Sequence, residues 1–230
     1  MKYDFGIITQ CRYNSTRLPG KILLTPNKNT RQNYLEIFVK NLKKIKKVDK
    51  IVIASSNRKK NIFIDIAKKN DVLFFSSKKI KETNVLERYY KAAKKYNIKN
   101  IIRITSDCPF INPWLVDKML LEYKKKRLDF LTNNKPRHIP HGFDCEIFNF
   151  DLLEDAYYST NIDSDLEHVT KWIYRKKKSQ IKNFKIFKKD YSNIRLTLDT
   201  IKDHNFFIQN LHLLKKISKY KNPEKILKLL

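Results

Sequence analysis

Residues 5–21 read F-G-I-I-T-Q-C-R-Y-N-S-T-R-L-P-G-K. The apolar run Phe5-Gly6-Ile7-Ile8 predicts a first β-strand, and the segment that leaves it carries Arg12, Arg17 and Lys21 with small hydroxyls at Ser15 and Thr16. A loop of this make-up can surround a polyphosphate. One of only three glycines in the chain, Gly20, stands here beside Pro19. Glycine lets backbone N–H groups approach an anion, and proline sets the turn.

Outward from this loop, strand-like runs alternate with amphipathic stretches. Strands are predicted at 4–9, 50–55, 72–76 and 100–105. Between them, residues 33–47 place Leu35, Phe38, Val39, Leu42 and Ile45 at helical spacing, and 59–69 and 84–96 repeat the pattern, with Thr83 as a candidate N-cap. Such alternation predicts an α/β fold with a mostly parallel sheet, whose strand C-terminal ends share one ligand-binding edge. Further on, a helix is expected at 113–126, a strand at 128–132, an irregular stretch at 133–150, and helices near 151–159 and 165–178. Two strands, 184–188 and 194–198, then precede a helix over 203–217 and a short helix after Pro223.

Two further segments repeat the logic of a strand followed by acid. In R-I-T-S-D-C-P (103–109), Asp107 lies just past a buried strand, placed for a hard cation such as Mg²⁺ or, alternatively, for capping the helix near Pro113. In R-L-T-L-D-T (195–200), Asp199 and the nearby Asp203 offer a second metal carboxylate or a helix N-cap. Asp163-Ser164-Asp165 imitates a sugar-transferase D-x-D but precedes a helical run and reads as its start. His138 and His141 have no third ligand at metal spacing, which favours a loop surface over zinc.

Composition bounds the partners. The chain has 230 residues and a formal net charge of +27. Only ten of its fifty basic residues are arginine, and the lysines spread over almost every predicted helix. That pattern reads as solvated faces rather than a nucleic-acid groove, so RNA or DNA is not the expected partner. The length suits one domain over 1–230, with a small acceptor or dimerisation lobe near 133–160. The N-terminal apolar run is too short for a signal peptide, no stretch reaches the length of a membrane span, and three cysteines without metal-like spacing fit reduced thiols; a cytoplasmic location is expected.

Six strings, 10–21, N-V-L-E-R-Y-Y (84–90), 103–109, H-G-F-D-C-E (141–146), E-H-V-T (167–170) and 195–200, come in an order that resembles the cytidylyltransferases of the spore-coat polysaccharide (SpsF-like) type, themselves similar to CMP-sugar-acid synthetases. The resemblance implies a three-layer α/β/α nucleotidyltransferase fold with a mixed sheet, CTP as nucleotide, Mg²⁺ as cofactor, a small-molecule acceptor and a homodimer. It implies Arg12, Lys21, Asp107 and Asp199 as the catalytic set, with Asp107 and Asp199 on the metal. Gln10, Arg17, Asn84, Arg88 and Arg103 join them around the nucleotide, while Gly142, Asp144, Glu146, Glu167 and His168 border the acceptor. Asn14 and Leu166 depart from the Gly and Arg common in the family at those places. The implied activity is cytidylyl transfer with release of pyrophosphate, in surface polysaccharide biosynthesis. A glycosyltransferase of similar fold and a basic, non-catalytic RNA-binding protein are the rival readings.

Overall fold

The computed structural model describes residues 5–27, 29–176 and 181–230. Seven strands form one sheet: β1 (Phe5–Cys11), β2 (Lys50–Ser55), β3 (Leu73–Phe75), β4 (Asn100–Arg103), β5 (Phe130–Thr132), β6 (Glu146–Asn149) and β7 (Ile181–Asn183). Their order is β3-β2-β1-β4-β6-β5-β7. Only β6 runs against its neighbours, pairing antiparallel with both β4 and β5. The helices are α1 (Tyr34–Leu42), α2 (Lys60–Lys69), α3 (Val85–Lys95), α4 (Pro113–Lys126), α5 (Phe150–Ser159), α6 (Asp163–His168), α7 (Lys171–Lys176), α8 (Ile201–Gln209), α9 (Leu211–Ile217) and α10 (Glu224–Leu227).

Alternate strand residues feed two cores. Ile7, Ile53, Ile102 and Leu131 pack with side chains of α1, α2, α4, α8 and α9, whereas Ile8, Val52, Ile101 and Phe130 pack with α3, α5 and α7. Helices on both faces of a largely parallel sheet bury every central strand, which is why β1 reads as a continuous apolar run. Asparagine side chains cap four of the helices. Asn33, Asn84, Asn112 and Asn149 each accept a backbone N–H of the first turn, and Asn33 and Glu36 close a full capping box.

The fold departs from expectation in five places. Strand β6, whose last residue Asn149 also caps α5, lies inside the stretch expected to be irregular. The cap of α3 is Asn84, one residue after Thr83. The expected helix 165–178 is broken into α6 and α7 at Val169 (its positions 177–178, like position 4 of the first predicted strand, fall outside the described residues). The helix expected over 203–217 begins at Ile201 and is interrupted at Asn210. Of the two late strands, the first is β7, shifted to 181–183. The second never joins the sheet: its N–H groups bond to loops, Leu196 to the His141 carbonyl at 2.6 Å and Leu198 to the Asp107 carbonyl at 2.8 Å.

The three cysteines, Cys11, Cys108 and Cys145, are free thiols and all buried. Burial pushes the Cys11 thiol up to about 12 and the other two well above the usual range, so none is poised as a nucleophile. Among the described residues, no helix is long and apolar enough to cross a membrane.

Candidate active site

The strand C-terminal ends and the loops behind them enclose a cavity of about 190 Å³. Gln10 and Arg12 reach it from β1, Lys21 from the phosphate-type loop, Arg103 and Asp107 from β4, and Glu167 and His168 from α6. Seven of the expected site residues therefore meet at one place. Thr105 and Ser106 also line it, and the Ser106 hydroxyl donates to the Gln10 carbonyl at 2.7 Å, tying the two strand ends together. Larger grooves run along the opposite edge of the sheet, bordered by the starts of β2, β3 and β4.

Backbone conformation explains the loop. Gly20 sits at φ 67°, its N–H donates to the Tyr13 carbonyl at 2.9 Å, and a single 3-10 turn follows at Lys21–Leu23. This fold-back brings the Lys21 ammonium between two carboxylates, 2.7 Å from Asp199 Oδ1 and 3.5 Å from Asp107 Oδ2. Arg17 joins at 3.2 Å from Asp199 Oδ1, and Arg195 at 2.6 Å from its other oxygen. Burial alone would push the Asp199 carboxyl up, but the Lys21 hydrogen bond and charge, with Arg195 and Arg17, outweigh it and hold it below the usual carboxylate range.

Capping does not occupy these acids. The N-cap of α4 is Asn112, which leaves Asp107 outside the helix end. The N-cap of α8 is Thr200, with Asp203 closing the capping box from the third helical position. Asp203 is thereby spent on structure, accepting from the Asp199 and Thr200 N–H groups and from Arg195.

Other expected site residues lie off the cavity wall. Asn84 caps α3 and also donates to Glu87, so it is not on the cavity wall. Arg88 is buried, and its Nη2 donates to the carbonyls of Lys81 and Glu82 at 3.2 and 2.8 Å, holding the chain before α3 rather than lining the cavity. Asp144 is clamped by Arg137 and by the Gly142 N–H and Asn134 amide, so its carboxylate serves its own loop. Gly142, at φ 103°, lies where any Cβ would fall 2.3 Å from the Leu196 carbonyl oxygen; it locks two loops together. Glu146 is buried in bonds to Arg103, Thr170 and Tyr174. Asp163-Ser164-Asp165 does start a helix, α6, without a side-chain cap, and Asp165 is buried and held by Arg175 at 2.5 and 3.0 Å. His138 lies 3.9 Å from Asp190, and among the described residues no cluster of three or more metal-type ligands exists. Of the departures, Asn14 reaches Glu82 at 3.5 Å and Leu166 packs on the core beside α3.

Sequence reading missed Tyr174, Thr170 and Arg137. Thr170 sits in the quoted E-H-V-T string without a role, and Tyr174 gave no local signal, because it acts across the sheet from α7.

A phosphate-type loop after β1, paired acids at two distant chain positions and a mostly parallel sheet with one reversed strand define a nucleotidyltransferase-like α/β protein. Comparison with known proteins narrows this: the chain belongs to the cytidylyltransferase family, whose pattern it matches over residues 6–227. It is similar to the uncharacterized protein MJ1063 of Methanocaldococcus jannaschii, at 35% identity over 89% of this chain and 81% of that one. The spore coat polysaccharide biosynthesis protein SpsF of Bacillus subtilis is 30% identical over 74% of this chain and 70% of its own. Among solved structures, a cytidylyltransferase from Leptospira borgpetersenii superposes with a TM-score of 0.82 at 31% identity, covering 99% of this chain and 93% of that one. The protein is a CTP-dependent nucleotidyltransferase.

Proposed function

We propose that this enzyme joins CTP to a sugar, sugar acid or phosphorylated small acceptor in a Mg²⁺-dependent reaction of surface polysaccharide biosynthesis. The observation that carries the reading is the Lys21 ammonium lodged between Asp107 and Asp199 at the rim of the cavity. Two carboxylates that already share a cation are suited to hold a divalent one, and Mg²⁺ is commonly bound by one or two carboxylates with substrate phosphates completing its shell. Asp199, kept ionised by its neighbours, and Asp107 would hold it. Bound there, the metal would supply charge neutralisation at the phosphates.

In the reaction, an acceptor oxygen forms a bond to the α-phosphorus of CTP as the bond to the β-phosphate bridging oxygen breaks, and that oxygen's electrons leave with pyrophosphate. Such transfers depend on positioning and electrostatics more than on a protein nucleophile. Lys21, Arg17 and Arg12 are the residues that neutralise the leaving pyrophosphate. Gln10 stands at the nucleotide entrance, and Glu167 and His168 face the acceptor. A phosphate or carboxylate acceptor would need no general base. The same reading includes a homodimer, a cytoplasmic location and the segment 133–160 as the acceptor lobe of a single domain.

Thermal stability against each of the four nucleoside triphosphates, with and without Mg²⁺, tests this. A Mg²⁺-dependent shift with CTP alone is the expected result, followed by pyrophosphate release when an acceptor is supplied. A shift only with a nucleotide sugar or with RNA would overturn it.

A further inference from the structure

Behind the cavity lies a buried network that the proposed chemistry does not use. Arg103 and Glu146 are register partners across β4 and β6, and Arg103 Nη1 donates to Glu146 Oε2 at 2.7 Å. Glu146 is only 4% exposed, and its oxygens also accept from the Tyr174 hydroxyl at 2.8 Å and the Thr170 hydroxyl at 3.1 Å. Thr170 and Tyr174 are four residues apart, so one helical face presents both.

The chain goes to some strain to place them. Val169, buried and β-branched, adopts φ 54° and ψ −60°, and the Thr170 N–H donates across it to the His168 carbonyl at 2.5 Å. This is a γ-turn of the positive-φ kind, a conformation that costs on the order of 1–3 kcal/mol and persists only where its surroundings enforce it. The turn lets Glu167 and His168 border the cavity while the very next residues reach back to the sheet.

The network is unbalanced. Three donors share the Glu146 carboxylate, but Arg103 gives it only one of its N–H groups. Among the described residues that is the one hydrogen bond Arg103 makes; its Nε is buried without a partner, and the side chain lines the cavity. The charge of Glu146 holds the guanidinium up against the opposing effect of burial, so it stays cationic. A fixed planar guanidinium with unused donors matches the oxygens of a carboxylate or phosphate. Lys21 and Arg17 attend the Asp107–Asp199 end of the site. Arg103 instead shares its partner with the segment that carries Glu167 and His168.

We propose that Arg103 binds an anionic group of the acceptor, a carboxylate or a phosphate, rather than the nucleotide, and that Thr170 and Tyr174 are positioning residues that hold its partner Glu146. This rests on reading the cavity as a cytidylyl-transfer site. The test saturates the protein with CTP and Mg²⁺, so that the triphosphate site is filled, and then titrates inorganic phosphate or, separately, acetate, followed by calorimetry and thermal stability. The expected result is a further saturable interaction with one or both anions, phosphate marking a phosphorylated acceptor and acetate an acid. It should vanish in Arg103→Gln. In Tyr174→Phe, which keeps the ring and loses the hydroxyl's contacts with Glu146, Thr132 and Asn134, it should weaken roughly three- to ten-fold. CTP affinity should stay within about two-fold in both, a split that general loosening of the fold would not produce. Absence of any second anion site, or its persistence in Arg103→Gln, overturns the proposal. So does a loss of CTP affinity in Arg103→Gln, which would give Arg103 to the nucleotide. A wild-type protein that binds no CTP would instead overturn the reading beneath it.

Discussion

Lys21 carries the heaviest load of any single side chain, since it pairs with both Asp107 and Asp199 in the free protein. Removing a preorganised charge from a transfer site typically costs 10²–10³ in turnover. Lys21→Ala and Asp107→Ala should each lower kcat by about that factor, measured as pyrophosphate release, and near-normal turnover in both would refute the assignment. Asp203 should behave differently despite sitting four residues from Asp199. It bonds the α8 capping box and Arg195, so Asp203→Asn should act mainly on stability and reach activity only through Asp199. Single residues were legible in the sequence to very different degrees. Asp107 and Asp199 were picked out by following apolar runs, and the fold brings both to the Lys21 ammonium, although the run before Asp199 is not a strand of the sheet. Arg88 misled, because its role depends on two carbonyls six and seven residues earlier that no spacing rule marks.

Helix α8 couples the site to the fold. Its first turn is fixed by Thr200 and Asp203, and its fourth residue, His204, bonds the Tyr34 hydroxyl of α1 at 2.9 Å. Thr200→Ala should cost about 1 kcal/mol, read from chemical denaturation. Two pH effects follow from this element. Burial lowers the His204 pKa, so the unfolded chain takes up a proton that the folded chain refuses. Its contribution is complete above about pH 6.5 and fades as pH falls below that, and His204→Gln should flatten stability between about pH 7 and 5. Burial opposes ionisation of Asp199 and Asp203, but their cationic and N–H partners win and depress both. Their contribution is present above the ordinary carboxylate range and is lost only as pH falls through the lower folded values, giving a second, more acidic decline. Elements were legible in the first half because apolar strands alternate with amphipathic helices in a regular order. They were less so later, where the strand–helix alternation lapses, β6 and β5 pair without a helix between them, and the 194–198 stretch spends its hydrogen bonds on loops.

At the scale of the whole molecule, the charge of +27 surrounds a site that receives a polyanion. A field of this kind raises encounter rates and is screened within about 10 Å at 0.1 M salt. Raising salt should therefore lower kcat/KM for CTP more than kcat, measured by initial rates over an ionic-strength series. An equal fall in both would mean that salt acts on the chemistry itself. The three-layer arrangement was legible from the alternation of elements, whereas the reversed strand β6 was not, since nothing local distinguishes a short antiparallel strand from a loop. The three sealed thiols make the molecule its own stopwatch. A colourless disulfide reagent that turns yellow on meeting a thiol should register nothing while the fold is shut and all three cysteines once it opens. Dosed in excess, it times each opening event. Adding CTP should slow the colour if nucleotide binding keeps the strand ends that house Cys11 and Cys108 closed.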